Sequence, residues 1–175
     1  MNYADIKKVD VANGEGVRVS IFVSGCHHHC KGCFNECAWD FGYGNKFDEN
    51  AKEKVINYMN HDYIKGLSLL GGEPLEPSNQ EGLLPLVKEV KEKFPDKTIW
   101  CYTGYDFQKD IVDGMNKTNP TTKELLKYID VVVDGKFDEN QKSPKLRFRG
   151  SANQRILDAQ ETIKEDKPVE IPSLY

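Results

Sequence analysis

Hydrophobic and polar positions along the chain change period several times, and each change marks an element. VRVSIFVSG (17–25) alternates and then becomes continuously apolar and β-branched, which predicts a strand buried on both faces and ended by glycine. In DENAKEKVINYMNHDYI (48–64), Val55, Ile56 and Met59 recur at helical spacing behind Asp48, a candidate N-cap. GLSLLGGEP (66–74) is a short apolar strand that must stop where the double glycine and the proline turn the chain. NQEGLLPLVKEVKEKFP (79–95) then places Leu83, Leu84, Leu86, Val87, Val90 and Phe94 largely on one side of a helix that Pro95 ends, with Pro85 expected in its first turns.

The pattern repeats downstream. KTIWCYTG (97–104) reads as a strand, YDFQKDIVDGM and TTKELLKYI as helical pieces around the NKTNP turn, and DVVVDGK (130–136) as a strand. Buried strands alternating with helices predict parallel βαβ units, either an open sheet or part of a barrel. In both, ligands bind at the carboxyl ends of the strands, and the glycine-marked stretches SGC, LLGGEP, YTG and VVDGK all fall at such ends. The residues from Asp158 to Tyr175 are polar, acidic and proline-interrupted, so the division predicted is one domain over 1–157 and a flexible tail over 158–175.

Composition narrows the function. A chain of 175 residues supports one domain with a sizeable core, and a formal net charge of −4 gives no basis for general nucleic-acid binding. No stretch reaches the roughly 18 to 20 apolar residues of a membrane span, and MNYADIKKVD lacks a signal-peptide core, so a cytoplasmic protein is expected. In that reducing compartment four of the five cysteines crowded into one short stretch read as metal ligands, while Cys101 and the two tryptophans, Trp39 and Trp100, read as core residues.

The four are Cys26, Cys30, Cys33 and Cys37, in SGCHHHCKGCFNECAWD (24–40). Four sulfurs suit tetrahedral zinc, whereas three sulfurs on a four-iron cube leave one iron without a protein ligand and free to bind substrate. Zinc sites of this kind more often use two separated ligand pairs, and here no second pair follows. His27, His28 and His29 do not restore the zinc reading, because three adjacent rings cannot all face one ion.

Cys-x3-Cys-x2-Cys followed by Phe34, together with GGEP at 71–74, resembles the radical S-adenosylmethionine (SAM) enzymes. Within that superfamily, MNYADIKKVDVANGEG, FVSGCHHHCKGCFN, GLSLLGGEP, IWCYTGY, VVVDGKF and RGSANQR make the chain similar to the activating proteins of anaerobic (class III) ribonucleotide reductase. The similarity covers residues 1 to about 155. The chain departs from that pattern in Glu73 for Asp, Phe34 for Tyr, the extra Cys37 and the tail.

The resemblance implies an α/β fold that is a reduced, open partial (β/α) barrel of mostly parallel strands, with the cluster loop after the first strand. It implies a [4Fe-4S] cluster on Cys26, Cys30 and Cys33, its open iron chelating SAM. One electron then cleaves SAM to methionine and a 5′-deoxyadenosyl radical, which takes hydrogen from a glycine of the reductase large subunit. Gly32, Phe34, Gly71, Gly72, Glu73, Thr103, Asp134 and Lys136 are the candidate cofactor-binding residues. For the residues themselves, Gly71 and Gly72 let backbone approach a ligand, Glu73 would accept from a cationic amino group, Asp134 from ribose hydroxyls, and Lys136 would face a carboxylate. Arg147, Arg149, Asn153 and Gln154, in the basic stretch RFRGSANQR, are candidates for contact with the reductase, and a low-potential flavodoxin-type protein fits as electron donor. The competing readings are an activase of another glycyl-radical enzyme, such as pyruvate formate-lyase, and a non-catalytic zinc or iron–sulfur module.

Overall fold

A computed structural model describes residues Met1–Tyr175. Seven strands form one sheet in the order β3-β1-β2-β4-β5-β6-β7. The four central strands, β2 (Val17–Val23), β4 (Ile64–Gly71), β5 (Thr98–Tyr102) and β6 (Val131–Asp134), are parallel. Antiparallel strands flank them: β1 (Asn2–Asp10) and the two-residue β3 (Asn45–Lys46) on one side, β7 (Arg155–Asp158) on the other. The sheet does not close, so the open partial barrel expected is the fold found, with its cysteine loop after the first parallel strand. In chain order that loop follows the second strand, because the polar β1, of which only Ile6 and Asp10 are buried, carries no strong strand signal.

Strand alternation sorts the side chains onto two faces. Val19, Ile21, Leu67, Leu69, Ile99, Cys101, Val132 and Leu157 form the main core with α1 (Glu49–Met59) and α2 (Pro77–Lys93). Asp48 caps α1 by accepting from the Ala51 N–H at 2.9 Å, an interaction contributing about 1 kcal/mol. α2 contributes Leu83, Leu86, Val87 and Val90, all without solvent contact, each burial stabilising the fold by about 2 kcal/mol. Pro77 opens this helix, so Pro85 falls near its middle rather than in its first turns, and the helix there forgoes one backbone hydrogen bond. Between β5 and β6 the chain makes a wide π-helical stretch, Phe107–Met115, then the short α3 (Asn116–Thr118) and α4 (Pro120–Leu125).

The opposite face is not the uniformly apolar surface expected for β2. Arg18, 1% exposed, lies across it and donates to the Ser68 and Thr98 hydroxyls and to the carbonyls of Glu15, Leu67 and Thr98. Burial lowers its pKa to about 10, and its guanidinium packs on Trp100, 5.4 Å from the ring centroid. Beyond it Trp100, Val131, Val133, Ile156 and Leu174 form a smaller core.

Leu174 belongs to the segment read from sequence as a flexible tail. In the structure this segment forms α5 (Ala159–Glu165), capped by Asp158, and returns so that the Ile171 N–H donates to the Ile156 carbonyl. The Tyr175 hydroxyl accepts from the Ile156 N–H at 2.9 Å. Two well-spaced apolar anchors, Ile171 and Leu174, suffice to dock it.

Candidate active site

At the carboxyl ends of β2, β4 and β5 lies a cavity of about 730 Å³, a size typical of small-molecule sites. Its wall includes Cys26, Cys30, Cys33, Gly71, Gly72, Glu73, Thr103 and Gly104, so the structure brings together stretches that are far apart in sequence. Phe34 joins this wall while remaining 67% exposed, its ring 4.9 Å from that of Phe137.

The cysteine loop is held by its ends. The Gly25 N–H donates to the Ala38 carbonyl at 2.7 Å and the Cys26 N–H to the Trp39 carbonyl at 3.1 Å, which closes the stretch into a lobe. His29 (φ 47°) and Gly32 (φ 71°) sit in the left-handed region and turn the chain within it. Gly32 faces Glu139 and is not part of the cavity wall. The three histidine rings diverge: His27 onto Glu76 and Phe41, His28 onto Glu73 and Tyr105, His29 flat against Trp39 at 4.4 Å. Trp39, read as core, thereby reaches the cavity wall.

All five cysteines are free thiols. No three His, Cys, Asp or Glu side chains converge on a point that could hold a single metal ion, and Cys37 is exposed, its thiol directed at the Asn35 side-chain oxygen at 3.2 Å. Burial pushes the Cys26 thiol up to about 11, the backbone N–H groups of His28 and His29 acting against this and the Glu73 carboxylate adding to it. A cluster whose irons draw the sulfur as thiolate suits such a site, since bound metal removes the proton outright.

The glycine-rich turn after β4 packs on this loop. The Gly72 N–H donates to the Val23 carbonyl at 2.7 Å and the Glu73 N–H to the Gly25 carbonyl at 2.8 Å. A Cβ on Gly72 would lie 2.6 Å from the Gly25 oxygen, and on Gly71 (φ 111°) 2.5 Å from the Val23 nitrogen. The space the glycines leave is thus taken by the end of β2, which seats one loop on the other. Glu73, fully buried, accepts from the Thr103 hydroxyl (2.8 Å) and Leu75 N–H (2.9 Å) on one oxygen and from the Gly104 N–H (2.7 Å) and His28 Nε2 (2.9 Å) on the other. No lysine or arginine pairs with this carboxylate.

The β6 side is built differently. Asp134 is 1% exposed, receives two hydrogen bonds from Arg155 at 3.0 and 2.5 Å and one from the Phe107 N–H at 2.8 Å, and does not reach the cavity wall. Lys136 is exposed and lines a smaller neighbouring pocket with His28, Tyr105 and Lys109. Asn153 donates to the Lys136 carbonyl and Gln154 to the Gly135 carbonyl, both at 2.8 Å, so these two fasten the basic stretch to the end of β6. Arg147 is exposed on Phe148; Arg149 lines the cavity and rests on Tyr175, 4.3 Å from its ring centroid. Sequence reasoning missed Tyr102, whose hydroxyl is buried at the cavity wall without a hydrogen-bond partner, as is Arg149 Nε. Such orphaned groups fit a polar organic ligand that completes them.

Three cysteines beside a buried carboxylate that pairs with no lysine or arginine, in an open half-barrel, define a candidate iron–sulfur site, and the family model described as 4Fe-4S single cluster domain matches residues 12–157. The chain is 48% identical over 158 residues to the anaerobic ribonucleoside-triphosphate reductase-activating protein of Haemophilus influenzae, covering 89% of this chain and 97% of that one. It is 44% identical over 156 residues to the protein of that name from Enterobacteria phage T4 (89% and 93% covered), and 40% identical over 158 residues to that of Escherichia coli K12 (89% and 97%). The chain belongs to the family of anaerobic ribonucleoside-triphosphate reductase-activating proteins. No helix is long and apolar enough to cross a membrane.

Proposed function

We propose that this protein is a radical SAM activase that generates a glycyl radical on the large subunit of anaerobic ribonucleotide reductase. The observation that carries the reading is the single cavity lined by Cys26, Cys30 and Cys33 together with Gly71, Gly72 and Glu73. In it a [4Fe-4S] cluster would be held by those three cysteines. When bound and reduced, such a cluster supplies one electron to SAM, giving methionine and a 5′-deoxyadenosyl radical that takes a hydrogen atom from the glycine and leaves as 5′-deoxyadenosine.

The chain's own residues would bind and orient. Glu73 gives the cavity a buried negative charge that no lysine or arginine neutralises, which favours a co-substrate carrying ammonium and sulfonium charges. Thr103 and Gly104 fix that carboxylate from the β5 end, so it presents one geometry. The orphaned Tyr102 hydroxyl and Arg149 Nε offer hydrogen bonds further along the wall, and Phe34 and Phe137 an apolar rim. Arg147, free on the surface, is our candidate for contact with the reductase. A flavodoxin-type donor would supply the electron, in the cytoplasm.

Mixing the reduced, iron-reconstituted protein with SAM and the reductase and recording the paramagnetic resonance spectrum tests the assignment. A glycyl-radical doublet that requires all three components is expected. Formation of 5′-deoxyadenosine with no radical on the reductase would assign the activity to a different acceptor protein.

A further inference from the structure

Of the three consecutive histidines one is turned into the protein. The side chain of His28 is 8% exposed against 74% for His27, although each hydrogen-bonds a glutamate at 2.9 Å. An ionised carboxylate can only accept, so the 2.9 Å contact with Glu73 is one in which Nε2 of His28 donates. The ring stands edge-on to Tyr105, with centroids 4.5 Å apart, and fills the space left by Gly104, where a Cβ would lie 2.5 Å from its Cδ2. The backbone N–H of the same residue faces the Cys26 sulfur. His28 therefore touches the ends of β2, β4 and β5 at once.

Other ties of the cysteine loop lie at its root, where Gly25 accepts from the Glu73 N–H and Ser24 from Asn79 Nδ2 of α2, or run from His27 to Glu76, the residue before α2. Between Cys26 and Cys30, the His28 side chain, 8% exposed, supplies the better shielded of the two side-chain hydrogen bonds that leave the loop, the other being that of His27 at 74%. We infer that His28 is a positioning residue, which holds the cluster loop in register with the Gly-Gly-Glu turn so that a sulfonium amino acid bound there is felt at the cluster. The inference rests on the proposed function, and orientation of this kind by a group outside the ligand set is how metal sites keep their ligands in place.

The test uses anaerobically reconstituted protein, with iron content measured first and the resonance spectrum of the reduced cluster then titrated with SAM. Wild type and His27→Ala should show the same SAM-dependent spectral change at the same midpoint concentration. His28→Ala should keep its iron while the midpoint rises about ten-fold, the scale of losing one hydrogen bond to a carboxylate. His28→Gln, which returns an N–H near the position of Nε2, should recover most of the affinity, and Gly104→Ala, which displaces the ring without altering it, should reproduce the loss.

A wild-type midpoint in His28→Ala, even with a lowered melting temperature, would reduce His28 to packing and overturn the inference. Should His28→Ala fail to hold iron, Gly104→Ala decides: an unchanged midpoint refutes the positioning role and a raised one supports it. A wild-type protein that holds the cluster but shows no response to SAM would overturn the proposed function, and this inference with it.

Discussion

Glu73 and Asp134 are both buried carboxylates, one just past the carboxyl end of β4 and the other at the end of β6, yet they are set up for different work. Asp134 meets a guanidinium in a two-pronged pair and caps the π-helical stretch, so its charge is neutralised inside the structure. Glu73 receives three neutral donors and one imidazole, none a fixed cation, and stands on the cavity wall. Position at a strand end does not make a carboxylate functional; what answers its charge does. On β6 the answer comes from Arg155 in the same chain, whereas on β4 no lysine or arginine supplies one, and the proposed function gives that part to the co-substrate.

The comparison is broken most severely at the cysteines of the β2–β4 side. Alanine at Cys26, Cys30 or Cys33 should abolish SAM cleavage, whereas Cys37→Ala should leave much of it. Loss of iron and activity in Cys37→Ala equal to the other three would restore four-sulfur ligation.

Next come the carboxylates themselves. Asp134→Asn leaves Arg155 facing an uncharged partner at a partly exposed site and should cost about 2 to 3 kcal/mol in urea unfolding with SAM affinity retained. Glu73→Gln should also lower stability, by about 1 to 3 kcal/mol, because one of its amide hydrogens must face a donor, but it should weaken SAM binding at least ten-fold as well. Equal SAM affinity in the two variants would remove the distinction drawn between them.

The glycines sharpen the contrast. Gly72→Ala drives a Cβ against the carbonyl oxygens of Gly25 and Ala38, at 2.6 and 2.8 Å, and should cost about 2 to 3 kcal/mol and shift the reduced-cluster spectrum. At Gly135 (φ 98°) the nearest atom would be 3.9 Å away, so alanine there meets backbone strain alone, about 1 to 2 kcal/mol, and no spectral change. The smallest effect is expected at the surface: Arg147→Glu should leave SAM cleavage intact and weaken capture of the reductase several-fold in a pull-down, and unchanged capture would dismiss that contact.

Much of this was readable beforehand because the signals are local. Short apolar runs ended by glycine announce β2, β4, β5 and β6, and three cysteines at tight spacing announce a metal loop whatever surrounds them. The antiparallel flanks were hidden: in β1 only Ile6 and Asp10 are buried, and β7 is four residues long, starting at the last residue of the basic stretch. Asp134 and Lys136 read as ligand contacts because nothing near them in sequence reveals Arg155 as the partner of Asp134, or that the Lys136 side chain leaves the cavity. The histidine triplet is opaque for the opposite reason, since three identical neighbours differ only in which ring the turn of the loop carries inward. Tyr102 carries no motif, and its orphaned hydroxyl exists only once the strand, the loop after β6 and the returning tail are assembled.

The central claim is that the cavity joining the cysteine loop to the Gly-Gly-Glu turn cleaves SAM reductively. Its most direct test is 5′-deoxyadenosine released by anaerobic, iron-reconstituted protein given SAM and a strong reductant. The account predicts product that disappears when any one of Cys26, Cys30 or Cys33 is replaced by alanine. No product from protein shown to hold a four-iron cluster, with or without the reductase present, would contradict it.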